Sequence, residues 1–246
     1  MGNEAGTISA AEVGRHLAIL GSCALAKDNK SKKKNYYLAH EAQLEVSKSN
    51  NGIINTDKVF LGFAKTLQMT DRSGIAYAEL TTKEGILTHT LTIEYYIIRE
   101  YLFQRLHRSK RTEYNKRNAD LYSVMPILHN LRFLKNTITA KLAILTPEEC
   151  IGHFDLYPCI PASILIHMLI DLAEQLLAQI VDMKDVRYIV SSYRIKSRKL
   201  AFAGDNVLFS SDFIAYEGGD YIFKYIAKNN QGQEFVDVLL KLNKFK

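Results

Sequence analysis

The feature that most constrains this chain is an internal repeat. A helical stretch, Ile8 to Ala26, precedes a strand from Asn35 to Val46; a second helical stretch, Ala162 to Val181, precedes a strand from Val186 to Ser197. Each strand is followed by a turn carrying Asp before a Val-containing run, Thr56 to Leu61 in one copy and Gly204 to Phe209 in the other. A polar turn then leads into alternating residues, Asp71 to Leu80 and Glu217 to Ile226. Hairpin turns at Lys83–Gly85 and Asn229–Gly232 open the closing strands, Leu87 to Tyr96 and Glu234 to Leu242. Matching landmarks lie about 150 residues apart (Tyr37 to Tyr188, Asp57 to Asp205) and keep one order. A repeat of this kind means one supersecondary unit used twice.

The strands alternate apolar and polar residues, are rich in β-branched and aromatic types, and are cut by turn residues at regular intervals. A meander of that pattern has one face to bury, and the helix beside it is the natural cover, which gives an α+β layer. The second copy has an extra leading segment, Tyr122 to Leu145, that reads as extended strands. Between the copies, Glu100 to Asn118 is charged, with a helical start at Tyr101 to Leu106. The expected division is therefore an N-terminal half over 1–99, a linker over 100–118 and a C-terminal half over 119–246.

With 47% hydrophobic and 24% charged residues the composition is that of a globular chain, long enough to bury a core. No uninterrupted apolar run reaches bilayer length, and the N-terminal residues lack the basic and apolar regions of a signal peptide, so no membrane span and a cytoplasmic location are expected. Cys23, Cys150 and Cys159 form no close pair, which argues against a disulfide framework and a zinc site. The net charge of +6 is concentrated in Lys30 to Lys34 and Arg105 to Arg117, runs that are usually solvated but suit acidic partners. Tyrosines and phenylalanines lie along the strands at sheet-packing positions, so no nucleic-acid platform is expected.

One segment stands apart: Gly152-His153-Phe154-Asp155-Leu156-Tyr157-Pro158-Cys159-Ile160-Pro161-Ala162. Two prolines stiffen a loop ahead of a strongly apolar helix, with Pro161 at its first turn. The segment resembles the signature of the 3-hydroxyacyl-(acyl-carrier-protein) dehydratases: Gly-His-Phe-Pro-Gly, a short spacer, then Pro-x-x-Pro-Gly opening a long central helix. Gly152, His153, Phe154, Pro158 and Pro161 match in register. Asp155 and Leu156 replace the first Pro-Gly, and Ala162 replaces the last Gly. The resemblance covers Tyr122 to Lys246 and, through the repeat, extends more weakly to 8–98.

The resemblance implies a double hot-dog of α+β class, with two long central helices each wrapped by an antiparallel β-sheet. It also implies dehydration of a β-hydroxyacyl thioester in fatty-acid or polyketide-like synthesis. The substrate would ride on the phosphopantetheine of a carrier protein or on CoA, with no metal or redox cofactor, and homo-oligomers of double hot-dogs remain open. The family's acid falls fourteen residues after the histidine, where this chain has His167. The family pairs a histidine from one unit with an acid from the other, which places Glu12 at the equivalent acid position and His16 four residues on. The implied site is then His153 as base and Glu12, neutral in an apolar tunnel, as acid, with the Ala162 N–H on the thioester carbonyl. Phe154, Ile160, Pro161, Ala162, His16 and His167 would contact substrate.

Plainer readings stand beside these. His153 is a loop histidine after Gly; Glu12 has capping-box spacing from Ser9; His167 and Asp171 form a polar pair in a vestigial site. A thioesterase on the same fold, using water activated by a carboxylate, and a non-catalytic acyl-binding module are the two functional alternatives.

Overall fold

A computed structural model describes residues 4–6, 8–31, 33–47, 59–113, 126–150, 154 and 156–244. The chain runs α1 (Ala10–Asp28), β1 (Asn35–Val46), β2 (Phe60–Met69), β3 (Ser73–Thr82), β4 (Leu87–Arg99) and α2 (Glu100–Leu106). It continues with β5 (Leu128–Leu134), β6 (Thr137–Leu142), α3 (Ala162–Ile180), β7 (Tyr188–Ser197), β8 (Leu208–Glu217), β9 (Asp220–Lys228) and β10 (Glu234–Lys244). Helix, strand, then three-stranded meander therefore occurs twice, with β5 and β6 added to the second copy.

The strands form one antiparallel ten-stranded sheet in the order β2-β3-β4-β1-β7-β10-β9-β8-β6-β5. This corrects the expectation of two long central helices each wrapped by its own sheet. β1 and β7 pair directly, from Glu41 opposite Lys196 to Glu45 opposite Ser192, so the two meanders are halves of a single sheet. The physical reason is edge satisfaction: two separate sheets would each leave a row of unpaired N–H and C=O groups at β1 and β7. α1 rests on β2, β3 and β4, α3 rests on β8, β6 and β9, and the two helices touch each other. Joining the sheets thus also creates a helix–helix seam.

Irregularities in the pairing repeat along with the strands. A single extra residue interrupts β1 at His40 and β7 at Ser191. Another interrupts β2 at Leu67 and β8 at Ile214. A third interrupts β4 at Thr88 and β10 at Phe235. Such bulges bend and twist a strand locally, so the two halves curve around their helices by the same device at corresponding places.

The helices are covered differently. α1 is capped by Ser9, whose Oγ accepts the Glu12 N–H at 3.3 Å. Its glycines permit close approach to strands. A Cβ on Gly14 would lie 1.8 Å from the Tyr193 hydroxyl of β7, in the other half. α3 is apolar on most of its surface, burying ten residues from Ile164 to Leu177. By length and composition it also meets the requirement for a bilayer span, but here it is packed as the core helix of the second half. Both helices feed one cluster that includes Leu17, Leu44, Ile93, Leu172, Tyr193 and Phe223. Burial of that continuous apolar surface, at roughly 25 cal/mol per Å², ties the halves together.

A second, smaller cluster gathers Phe103 of α2 with Phe154, Tyr157, Cys159 and Phe202. The charged segment after β4 therefore begins with a helix whose Phe103 is fully buried. Lys110 holds its far end by an ion pair to Asp205 at 2.7 Å.

Candidate functional site

The signature loop is docked across the two halves. His153 lies outside the described residues, as do Gly152 and Asp155, but Phe154 is buried, with its ring 5.3 Å from Tyr36 of β1 and 4.8 Å from Phe103. Tyr157 meets Phe103 edge-on at 5.4 Å. The Thr112 N–H donates to the Leu156 carbonyl at 2.9 Å. Leu156 stands where the dehydratase signature has glycine, and its φ of +62° is the left-handed conformation that glycine adopts freely and leucine rarely does. The loop keeps that backbone shape despite the substitution, held by the aromatic cluster and the hydrogen bond from Thr112.

Past this loop, the chain is pinned against the second half. Cys159 bridges Phe202, the Ile160 N–H donates to Ala201 at 2.7 Å, and the Ala203 N–H donates to Pro158 at 3.0 Å. Ile160 is buried in the main core. Pro161 caps α3 without a side-chain bond, and Ala162 is its first residue, so its N–H has no acceptor inside the helix.

Each central helix carries one histidine–carboxylate pair at i, i+4 spacing. On α1, His16 Nε2 lies 3.0 Å from Glu12; on α3, His167 Nε2 lies 3.8 Å from Asp171. The order of the two residue types is reversed between the copies. Glu12 is also bound by Arg15 through two nitrogens, Nε at 3.0 Å and Nη2. Those bonds from Arg15 hold the Glu12 carboxyl below the usual carboxylate range against its partial burial, with His16 adding to the effect. Glu12 is thus partly exposed and held by Arg15 and His16, surroundings that favour its charged form rather than the neutral acid expected of an apolar tunnel.

The pair on α3 has different company. Glu4, ahead of α1, accepts the Ala10 N–H at 2.8 Å, and the Ala5 N–H next to it donates to the Tyr188 carbonyl of β7 at 2.7 Å. This carries the N-terminal segment onto the other half. Tyr188 donates its hydroxyl to Glu174, one turn beyond Asp171, at 3.1 Å. Glu4 is mostly buried, and burial pushes its carboxyl up to about 7; the Ala10 N–H opposes this, while Asp171 and Glu174 reinforce it. Asp171 is likewise raised by burial, with His167 opposing and Glu174 reinforcing. Three carboxyl groups close enough to repel one another thus gather where the start of α1 meets the middle of α3.

Sequence reading singled out His167 and Asp171, but it missed Glu4, Glu174 and Tyr188. The spacing of His167, Asp171 and Glu174 along one helical face was the available signal. Nothing local marked Glu4, whose surroundings come from the opposite half. Among the described residues no group of His, Cys, Asp and Glu side chains has the geometry to hold a metal ion.

No family model matches the sequence, and no relative is found among curated proteins. Solved structures do match its fold. A TesB protein of Mycobacterium avium subspecies paratuberculosis superposes with a TM-score of 0.66 at 8% identity, covering 97% of this chain and 88% of that one. An acyl-CoA thioesterase II of Mycobacterium marinum gives 0.56 at 8%, covering 95% and 89%. A 12:0-ACP thioesterase of Umbellularia californica gives 0.53 at 6%, covering 94% and 87%. At these identities the likeness is one of fold, and it extends over both halves: the chain has a hot-dog-like fold built on a single ten-stranded sheet.

Proposed function

We propose that this protein hydrolyses an acyl thioester, with Asp171 as the base that activates water. The observation that carries this reading is the placement of the two carboxyl groups on the long helices: Glu12 is bound by Arg15, whereas Asp171 sits with Glu4 and Glu174 where α1 meets α3. Dehydration needs a carboxylic acid to protonate a leaving hydroxyl, and Glu12, ionised beside Arg15 and His16, is poorly suited to donate a proton. Hydrolysis needs a base, and partial desolvation reinforced by Glu174 raises the pKa of Asp171, although its side chain is as open to solvent (37%) as that of Glu12 (36%). The structural neighbours named as thioesterases favour the same choice.

In the proposed step, water adds to the thioester carbonyl carbon as its proton passes to Asp171. The tetrahedral intermediate then collapses, the C–S bond breaks, and the departing thiolate takes the proton back from Asp171. The carbonyl oxygen needs N–H donors. Ala162 lies nine residues from Asp171, roughly 14 Å along the helix at 1.5 Å per residue, so one carbonyl cannot contact both. The start of α1 is the better donor, because Glu4 already places a carboxyl oxygen on the Ala10 N–H beside Asp171. The substrate oxygen would replace that carboxyl.

The test is thiol release from acyl-CoA substrates of several chain lengths. Asp171→Asn should lower kcat at least ~100-fold, the usual scale for a general base, while Glu12→Gln keeps most of the activity. Full activity in Asp171→Asn would refute the assignment. Hydration of a 2-enoyl thioester without thiol release would restore the dehydratase chemistry centred on His153 and Glu12.

A further inference from the structure

The two basic runs are far apart in sequence, yet the fold brings them to one cleft. A shallow open cleft of about 170 Å³ is lined by Lys34 from the first run and Arg111 from the second. Glu100 and Gln104 of α2 form one wall, and Leu156 and Tyr157 of the signature loop form another. Lys34 pairs with Glu100 at 2.7 Å and Arg111 with Glu113 at 4.0 Å, yet the two basic side chains are 56% and 54% exposed. Lys33, Arg105 and Arg108 are exposed nearby in the chain. A third segment adds Lys199, whose charge reaches His107 at the end of α2. These cations come from three parts of the chain and spread beyond the cleft, a footprint wider than one phosphate group requires and suited to an extended acidic surface.

We infer that this basic face docks an acidic carrier protein bearing the acyl chain on a thiol arm, and that the cleft admits the arm. This rests on the thioester-hydrolase reading. Leu156 and Tyr157 lead through Pro161 into α3, which places the cleft on the loop that opens this helix. The roughly 14 Å from Ala162 to Asp171 is distance for the arm to cover, with the carbonyl at its end.

Two measurements test the inference. Titration calorimetry with an acidic bacterial acyl carrier protein in its holo form, which bears the thiol arm without an acyl group, reads docking without turnover. Binding should weaken at least tenfold in Arg111→Glu and in Lys34→Gln, and should weaken in the parent as ionic strength rises. Turnover then compares octanoyl groups on the carrier protein, on CoA and on N-acetylcysteamine. Both substitutions should lower kcat/KM at least tenfold for the carrier-bound group and less than twofold for the N-acetylcysteamine thioester. No binding of the carrier protein, or binding insensitive to both substitutions, overturns the inference. Equal losses with carrier protein and CoA would reassign the cleft to the phosphates of CoA, and equal losses with all three would make the residues structural; either overturns it as well. Charge-sensitive binding with no thiol release from any substrate would uphold the docking surface and remove the hydrolase reading instead.

Discussion

Substituting Gly14 with alanine probes the contact between the two halves. In a helix interior alanine is favoured over glycine by about 1 kcal/mol, so a helix with free space around Gly14 would be stabilised. Here the added Cβ would lie 1.8 Å from the Tyr193 hydroxyl oxygen and 3.1 Å from its ring carbon Cζ. Tyr193 is 2% exposed and packed on β7, which leaves the ring no open space to enter. A gap that short cannot be relieved by shifts of a few tenths of an ångström, so the penalty belongs near the upper end of the roughly 1–3 kcal/mol typical of overpacking. The net loss is about 2 kcal/mol, or roughly 4–8 °C in Tm for a chain of this size. Urea unfolding should show a lower midpoint at unchanged slope. Adding Tyr193→Phe removes the clashing oxygen, so the double variant should recover most of the loss, a coupling of about 2 kcal/mol across the cycle. A Gly14→Ala protein as stable as the parent, or more stable, would refute the close approach of α1 to β7.

Three further outcomes follow from the structure. Glu4 is raised from 4.5 to about 7, so the folded state keeps a proton that the unfolded chain releases; that stability is whole below about pH 4.5 and is lost as pH rises to 7. His89, lowered by burial from 6.5 to about 4, acts in the opposite direction, its contribution being lost as pH falls through that window. Glu4→Gln should therefore raise the urea midpoint at pH 8 and leave the acid-side loss in place; parallel curves for parent and variant between pH 5 and 8 would contradict this. Phe103→Ala empties the small aromatic cluster, at a local cost of about 3–5 kcal/mol. Hydrogen exchange should speed up in α2 and around Leu156 and Tyr157 while α1 stays protected; uniform acceleration would show that the cluster is not a separate unit. The Arg194–Glu41 pair across β1 and β7 has a well-exposed arginine, so Arg194→Gln should cost less than about 1 kcal/mol, measured by thermal unfolding.

Much of the architecture was legible because it is written in local patterns. Alternation in β3, where every second residue from Gly74 to Thr82 is buried, announces a half-buried strand without reference to any partner. The bulges at His40 and Ser191 were not visible, because a bulge is defined by two residues facing one across a ladder. At the candidate site, the charge state of Glu12 was within reach of the sequence, since Arg15 and His16 lie one helical turn away. Glu4 was beyond it. Its elevated pKa needs burial together with Asp171 and Glu174, and these meet only when the N-terminal segment reaches Tyr188 in the other half.

The sequence by itself determined that the chain contains two copies of one helix-and-meander unit, and that a proline-stiffened loop leads into the second helix. Hydrophobic period and turn chemistry act over a few residues and survive in one dimension. Only the tertiary structure decided that the two sheets join at β1 and β7, that both helices meet along one seam, and which carboxyl groups share it. Edge pairing, desolvation and Coulomb repulsion depend on neighbours in space, and the neighbours that matter most here come from opposite halves of the chain.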